Sequence, residues 1–143
     1  MKNKISSWLK VALGFQFLTA AVHSLSFIRS PQGQNEIEKQ MLDLMYNHKM
    51  DMGAGFHRSM GQIFTSVSLS FTLIFLLGAF INLYLIRVHA PVLLIKGIVG
   101  IQALIFFVVF LGTVFLAFLP PAVFTGLVFL FLTVSYFRLK SQP

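Results

Sequence analysis

The chain has 143 residues, of which 57% are apolar and only 10% charged, with 11 Lys or Arg against 4 Asp or Glu and no cysteine. Soluble domains carry about a quarter charged residues, so a water-soluble fold of this composition would expose large apolar patches; the bilayer is its natural solvent. The missing thiols exclude a disulfide framework, thiol redox chemistry and thiolate metal sites, and the basic residues lie at the ends of apolar runs rather than in one patch, which argues against nucleic acid.

The first apolar run covers residues 8–28, after the basic start Lys2, Lys4 and Lys10. It has the basic start and apolar centre of a signal peptide, but Thr19-Ala20-Ala21-Val22-His23-Ser24 fits a cleavage site poorly, so the run is expected to remain as a helix. A loop-like stretch follows, Ser30-Pro31-Gln32-Gly33-Gln34-Asn35, and then a periodic one at residues 35–50. Ile37, Met41, Leu44, Met45 and His48 fall on one helical face, with Glu38, Lys39 and Asp43 elsewhere. Asn35 suits an N-cap, and Glu36 and Glu38 suit a first turn, where the helix dipole favours acids. This segment is expected to be a short amphipathic helix in the membrane interface or capping the bundle.

Three more apolar runs complete the chain: residues 61–86, ending at Arg87; residues 92–119, with Lys96 near the start; and residues 121–137, stopping at Arg138 and Lys140. Crossing hydrocarbon takes about 20 residues, with a range near 17–25, so all four runs qualify, the last being the shortest; in lipid a helix is required because every backbone N–H and C=O needs an internal partner. Pro91 suits the first turn of the third long helix, and Pro120-Pro121 predicts a tight hairpin before the fourth. The expected fold is all-α, an integral membrane four-helix bundle forming one transmembrane domain over residues 1–143. Lys2, Lys4, Lys10, Arg87, Lys96, Arg138 and Lys140 fall on one side with no acid. Arg29, Lys39, Lys49 and Arg58 share the other with Glu36, Glu38, Asp43 and Asp51. The positive-inside rule then predicts a multi-pass cell-membrane protein with both termini cytoplasmic and the Arg29–His57 connection outside.

Polar side chains are the informative ones in such a chain. Gln16, Thr19, His23 and Ser26 form one stripe on the first helix; His57, Gly61, Thr65, Ser68 and Thr72 form one on the second, with Arg58, Gln62 and Ser66 beside it. Both stripes should turn away from lipid. The functional expectation is an outward polar pocket between helices one and two, built from His23, His57, Arg58, Gln62, Gln16 and Thr65, with Arg58 pairing an anionic group such as a lipid phosphate. The simpler reading is that the Ser, Thr and Gln residues bond helix to helix while Gly61, Gly97, Gly100 and Gly112 permit close packing. His48 and Asp51, three apart, would share a face if helical and with His57 offer nitrogen and oxygen ligands for a Zn, Fe or Cu ion, though no defined metal spacing is present; paired histidines are also compatible with haem. No acid lies in an apolar run, and no nucleophile elbow or phosphate loop occurs, so no catalytic residue is assigned.

The stretch Asn35–Met45, the run Gly55-Phe56-His57-Arg58-Ser59-Met60 and the residues Ser68-Leu69-Ser70-Phe71 to Asn82-Leu83 resemble a group of uncharacterised small bacterial four-helix membrane proteins, and more loosely the architecture is similar to that of DoxX-like proteins. The resemblance implies the four-helix topology and draws attention to His57-Arg58; it implies no activity. The functional expectation is a small polytopic membrane protein binding a small ligand, lipid or partner through the outward pocket. Its alternatives are a His-based metal, haem or quinone component and a structural scaffold subunit.

Overall fold

A computed structural model describes residues 7–28 and 31–139. The expected roles of Lys2, Lys4, Arg29 and Lys140 in orientation lie outside these residues. In chain order the elements are α1 (Ser7–Ser24), a 3-10 turn (Leu25–Phe27), α2 (Glu36–Asn47), β1 (Lys49–Asp51), β2 (His57–Ser59), α3 (Met60–Arg87), α4 (Val92–Leu116) and α5 (Leu119–Arg138). The fold is all-helical apart from one antiparallel hairpin. Three helices, α3, α4 and α5, are long and apolar enough to cross a membrane. That property and their exposed apolar side chains, such as Leu77, Leu104 and Phe115, mark a membrane protein. The 18 residues of α1 are not among those spans, because Lys10, Gln16 and His23 dilute its apolar run.

The first helix ends at Ser24 rather than near residue 28, giving way to the 3-10 turn, and two further boundaries differ from the sequence reading, each for a physical reason. The turn between α4 and α5 precedes the prolines: Phe118 caps α5, and Pro120 and Pro121 fall inside its first turn. A proline there loses nothing, since first-turn N–H groups have no intrahelical acceptor. The second difference is the end of α2 at Asn47, with His48 as its C-cap and the chain continuing as a strand.

The residues group into two compact units, one up to Ala20 and from Ile74 onward, the other Ala21–Leu73. In the first, buried side chains recur at helical spacing: Leu9, Ala12 and Gln16 on α1; Phe75, Ala79, Asn82 and Leu85 on α3; Ile95, Val99, Gln102 and Phe106 on α4; Val128, Leu132 and Ser135 on α5. Aromatic pairs fill the gaps. Trp8 and Phe15 both stack on Phe131, and Phe75 meets Phe106 at 4.9 Å between centroids. Near the α4–α5 turn the Thr113 and Thr125 hydroxyls pair at 2.9 Å. The α3–α4 turn closes with Ala90 N–H donating to the Leu85 carbonyl and His89 N–H to that of Ile86, while His89 itself takes a left-handed φ of 50°. This is the Schellman arrangement, with a histidine at the position glycine prefers.

The second unit holds α2 and the hairpin. Asn35 caps α2 as expected, its side chain accepting from Glu38 N–H, and the Glu38 carboxylate accepts in return from Asn35 Nδ2 and Gln34 N–H. The hairpin pairs Lys49 with Ser59, Met50 with Arg58 and Asp51 with His57. Its tip runs through Gly53, Ala54 and Gly55, all at positive φ, and Asp51 accepts from Gly53 N–H at 2.8 Å.

Candidate functional site

The residues expected to share one pocket are distributed over three places. Ser59, Gln62 and Arg58 belong to the entry of α3. Ser59 is the N-cap: its Oγ accepts from Gln62 N–H, and Gln62 Oε1 accepts from Ser59 N–H. This reciprocal capping box commits the Gln62 amide to starting the helix. Arg58 lies over the Phe56 ring at 5.6 Å and donates to the His57 carbonyl. Arg58 and Gln62 line one groove, with Ile63, Ser66 and Val67. His57 is exposed on the hairpin opposite Asp51.

A cavity of about 490 Å³ lies beside it, within the second unit, lined by Ser26, Phe27, Pro31, Tyr46, Phe64, Thr65 and Ser68. Three elements build it. The 3-10 turn supplies Phe27, α2 supplies Tyr46, and α3 supplies a strip spaced for one helical face. Gly61 admits α2: a Cβ at that position would fall 2.6 Å from Tyr46 Cε1, so only glycine lets the ring lie against α3. Thr65 and Ser26 turn their hydroxyls onto local carbonyls, those of Gly61 and His23. Among the described residues the lining is aromatic and hydroxyl-bearing, with no charged side chain.

His23 stands next to this cavity. Its ring packs against Phe71 and Phe27, residues of the same unit, and is hydrogen-bonded to the Ser68 backbone. Its Nε2 is buried and has no partner. Leaving a buried ring nitrogen unpaired costs about 1–3 kcal/mol, which makes it an available hydrogen-bonding position.

Gln16 sits elsewhere, in the first unit, where sequence reasoning missed its partners. Gln16 Nε2 donates to Gln102 Oε1 at 3.0 Å; Asn82 Nδ2 donates to both Gln16 Oε1 and Gln102 Oε1 at 3.0 Å; Gln102 Nε2 donates to Asn82 Oδ1 at 3.2 Å. All three side chains are buried. Each carbonyl oxygen has a donor and each amide nitrogen an acceptor, and the cluster joins α1, α3 and α4. Gly78 makes room, since a Cβ there would meet Gln16 Nε2 at 2.6 Å. The signal was present: Asn82 and Gln102 are amides within otherwise strongly apolar stretches, where a polar group needs a partner.

The proposed metal ligands do not share a helical face. His48 ends α2 and Asp51 lies on β1, and among the described residues no group of three or more His, Asp or Glu side chains is placed to hold a metal ion. In comparisons with protein-family models, curated proteins and solved structures, nothing matches this chain.

Proposed function

We propose that this is a multi-pass protein of the cell membrane that binds an uncharged amphiphilic small molecule in the cavity beneath α2. The carrying observation is that cavity itself, at about 490 Å³ within the usual range for small-molecule sites, lined by three aromatic residues and, with Tyr46 counted in both sets, four hydroxyl-bearing ones. Aromatic faces suit a ring-bearing or unsaturated ligand; the Thr65 and Ser26 oxygens, whose protons go to backbone carbonyls, can accept from a ligand hydroxyl, and the Ser68 hydroxyl suits a ligand carbonyl. Among the described lining residues none is charged, which favours a neutral ligand over an anion. His23 Nε2 offers a further hydrogen-bonding position beside the cavity.

In this reading α1 is the fourth span, with Gln16 sheltered by its amide partners, and the four helices form a bundle as the resemblance to small bacterial four-helix membrane proteins implies. Both termini are cytoplasmic, and α2 and the hairpin face outward, since Arg87, Lys96 and Arg138 gather where there is no acid. A second reading, a scaffold subunit without a small ligand, is favoured by the amide cluster, whose carbonyls are all occupied.

Purified protein extracted into organic solvent and analysed by mass spectrometry distinguishes the two. A neutral, non-phospholipid compound is expected from the wild type and is expected to be lost from Thr65→Leu and Ser68→Leu, which fill the cavity. Unfolding temperature in detergent should rise with a short-chain quinone or a monoacylglycerol in the wild type and not in those variants. An empty extract together with no shift from either probe would sink the ligand-binding reading.

A further inference from the structure

The first unit carries a separate groove, on the face where α4 meets α5. Its volume is about 600 Å³, and Gly97, Gly100, Leu104, Phe107, Phe129 and Tyr136 line it. Gly100 deepens the floor, because a Cβ there would press on the Tyr136 ring at 3.0 Å. Basic residues adjoin one end of the lining: Lys96 Nζ lies 5.0 Å over the centroid of Tyr136, and Arg138 ends α5 two residues beyond. The unit that carries the groove holds no acid, since all four acids of the chain, Glu36, Glu38, Asp43 and Asp51, lie in the other unit. The remainder is apolar, except that Thr133 lines the groove and its Oγ1 is buried without a partner.

From these features we infer that the α4–α5 groove binds an anionic phospholipid of the bilayer, acyl chain against the glycine floor and phosphate at Lys96. Length supports the assignment. Lys96 and Phe107 are eleven residues apart, about 16 Å of helix, close to half of a hydrocarbon layer about 30 Å thick. A cation at the polar end and apolar walls one leaflet deep complement a charged headgroup and its chain. The unpaired Thr133 hydroxyl, about one turn below Tyr136, is placed to donate to an ester carbonyl between headgroup and chain. A transmembrane helix of another copy would fill the apolar part but supply neither an anion for Lys96 nor an acceptor for the Thr133 hydroxyl. The inference stands apart from the cavity beneath α2 and survives its failure.

The test is native mass spectrometry of the full chain released from vesicles of equal phosphatidylglycerol and phosphatidylcholine. The wild type is expected to retain the anionic lipid over the zwitterionic one by about fivefold, the factor a single Lys near a headgroup contributes. Lys96→Gln should bring that ratio close to one, while Lys10→Gln, the same charge change elsewhere in the unit, should leave it unaltered. Gly97→Leu should remove both lipids without harming the fold, because no atom lies within 4 Å of a Cβ at that position. No preference in the wild type, or an equal loss in the Lys96 and Lys10 variants, overturns the inference. So does a Gly97→Leu variant that keeps its lipid but dissociates from dimer to monomer, which would give the groove to a second copy.

Discussion

At residue scale the decisive group is the trio Gln16, Asn82 and Gln102. Asn82 contributes three of its four hydrogen bonds. Interhelical hydrogen bonds in membranes are each worth about 0.6 kcal/mol on average, so Asn82→Leu is expected to cost about 2 kcal/mol, including the groups it leaves unpaired. Gly78→Ala should cost a comparable amount by a different route. Its methyl would collide with Gln16 Nε2 and push that amide out of the cluster. Unfolding titrations in denaturing detergent measure both. Because the two changes act on one cluster, the double variant should cost clearly less than the sum; additive losses would show that the amides do not act together. The polarity of Gln16 was legible in the sequence, and so was its inward face. Its partners were not, because a stripe on one helix says which side turns inward and nothing about which side chain meets it there.

At the scale of elements, α3 illustrates how local chemistry sets a boundary. It opens on the Ser59–Gln62 capping box and closes on a Schellman turn that places His89 at φ 50°. Ser59→Ala is expected to destabilise by about 1 kcal/mol, with faster amide exchange confined to the first turn of α3. His89→Gly should act oppositely, stabilising by about 1 kcal/mol, since the left-handed conformation costs a residue with a Cβ that much. A stabilising Ser59→Ala or a destabilising His89→Gly would contradict these assignments. Long elements were readable from apolar length alone, and α2 from its Asn35 cap and periodicity. The hairpin was not. Strands of three residues are too short to establish an alternating pattern, although Gly53-Ala54-Gly55 carried a turn signal. The missed hairpin also misplaced Asp51, expected to share a helical face with His48, and His57, expected on the polar stripe of the second long helix; the two are paired across the hairpin.

At the scale of the whole molecule, the proposed orientation rests on charge: acids are confined to the Ala21–Leu73 unit, while Lys10, Arg87, Lys96 and Arg138 occupy the other without any. The chain has no native cysteine, so single introduced thiols report topology without background. A thiol at Gln34 or Asn47 is expected to react with an impermeant maleimide on intact cells, and one at His89 only after the membrane is opened; the reverse pattern would invert the orientation. The closed amide cluster carries a consequence for energised membranes. Amides do not titrate near neutral pH, and each of the three carbonyl oxygens already accepts from a neighbouring N–H. A proton entering that layer would find no base to receive it, so this polar patch links three helices without opening a leak in the gradient across them.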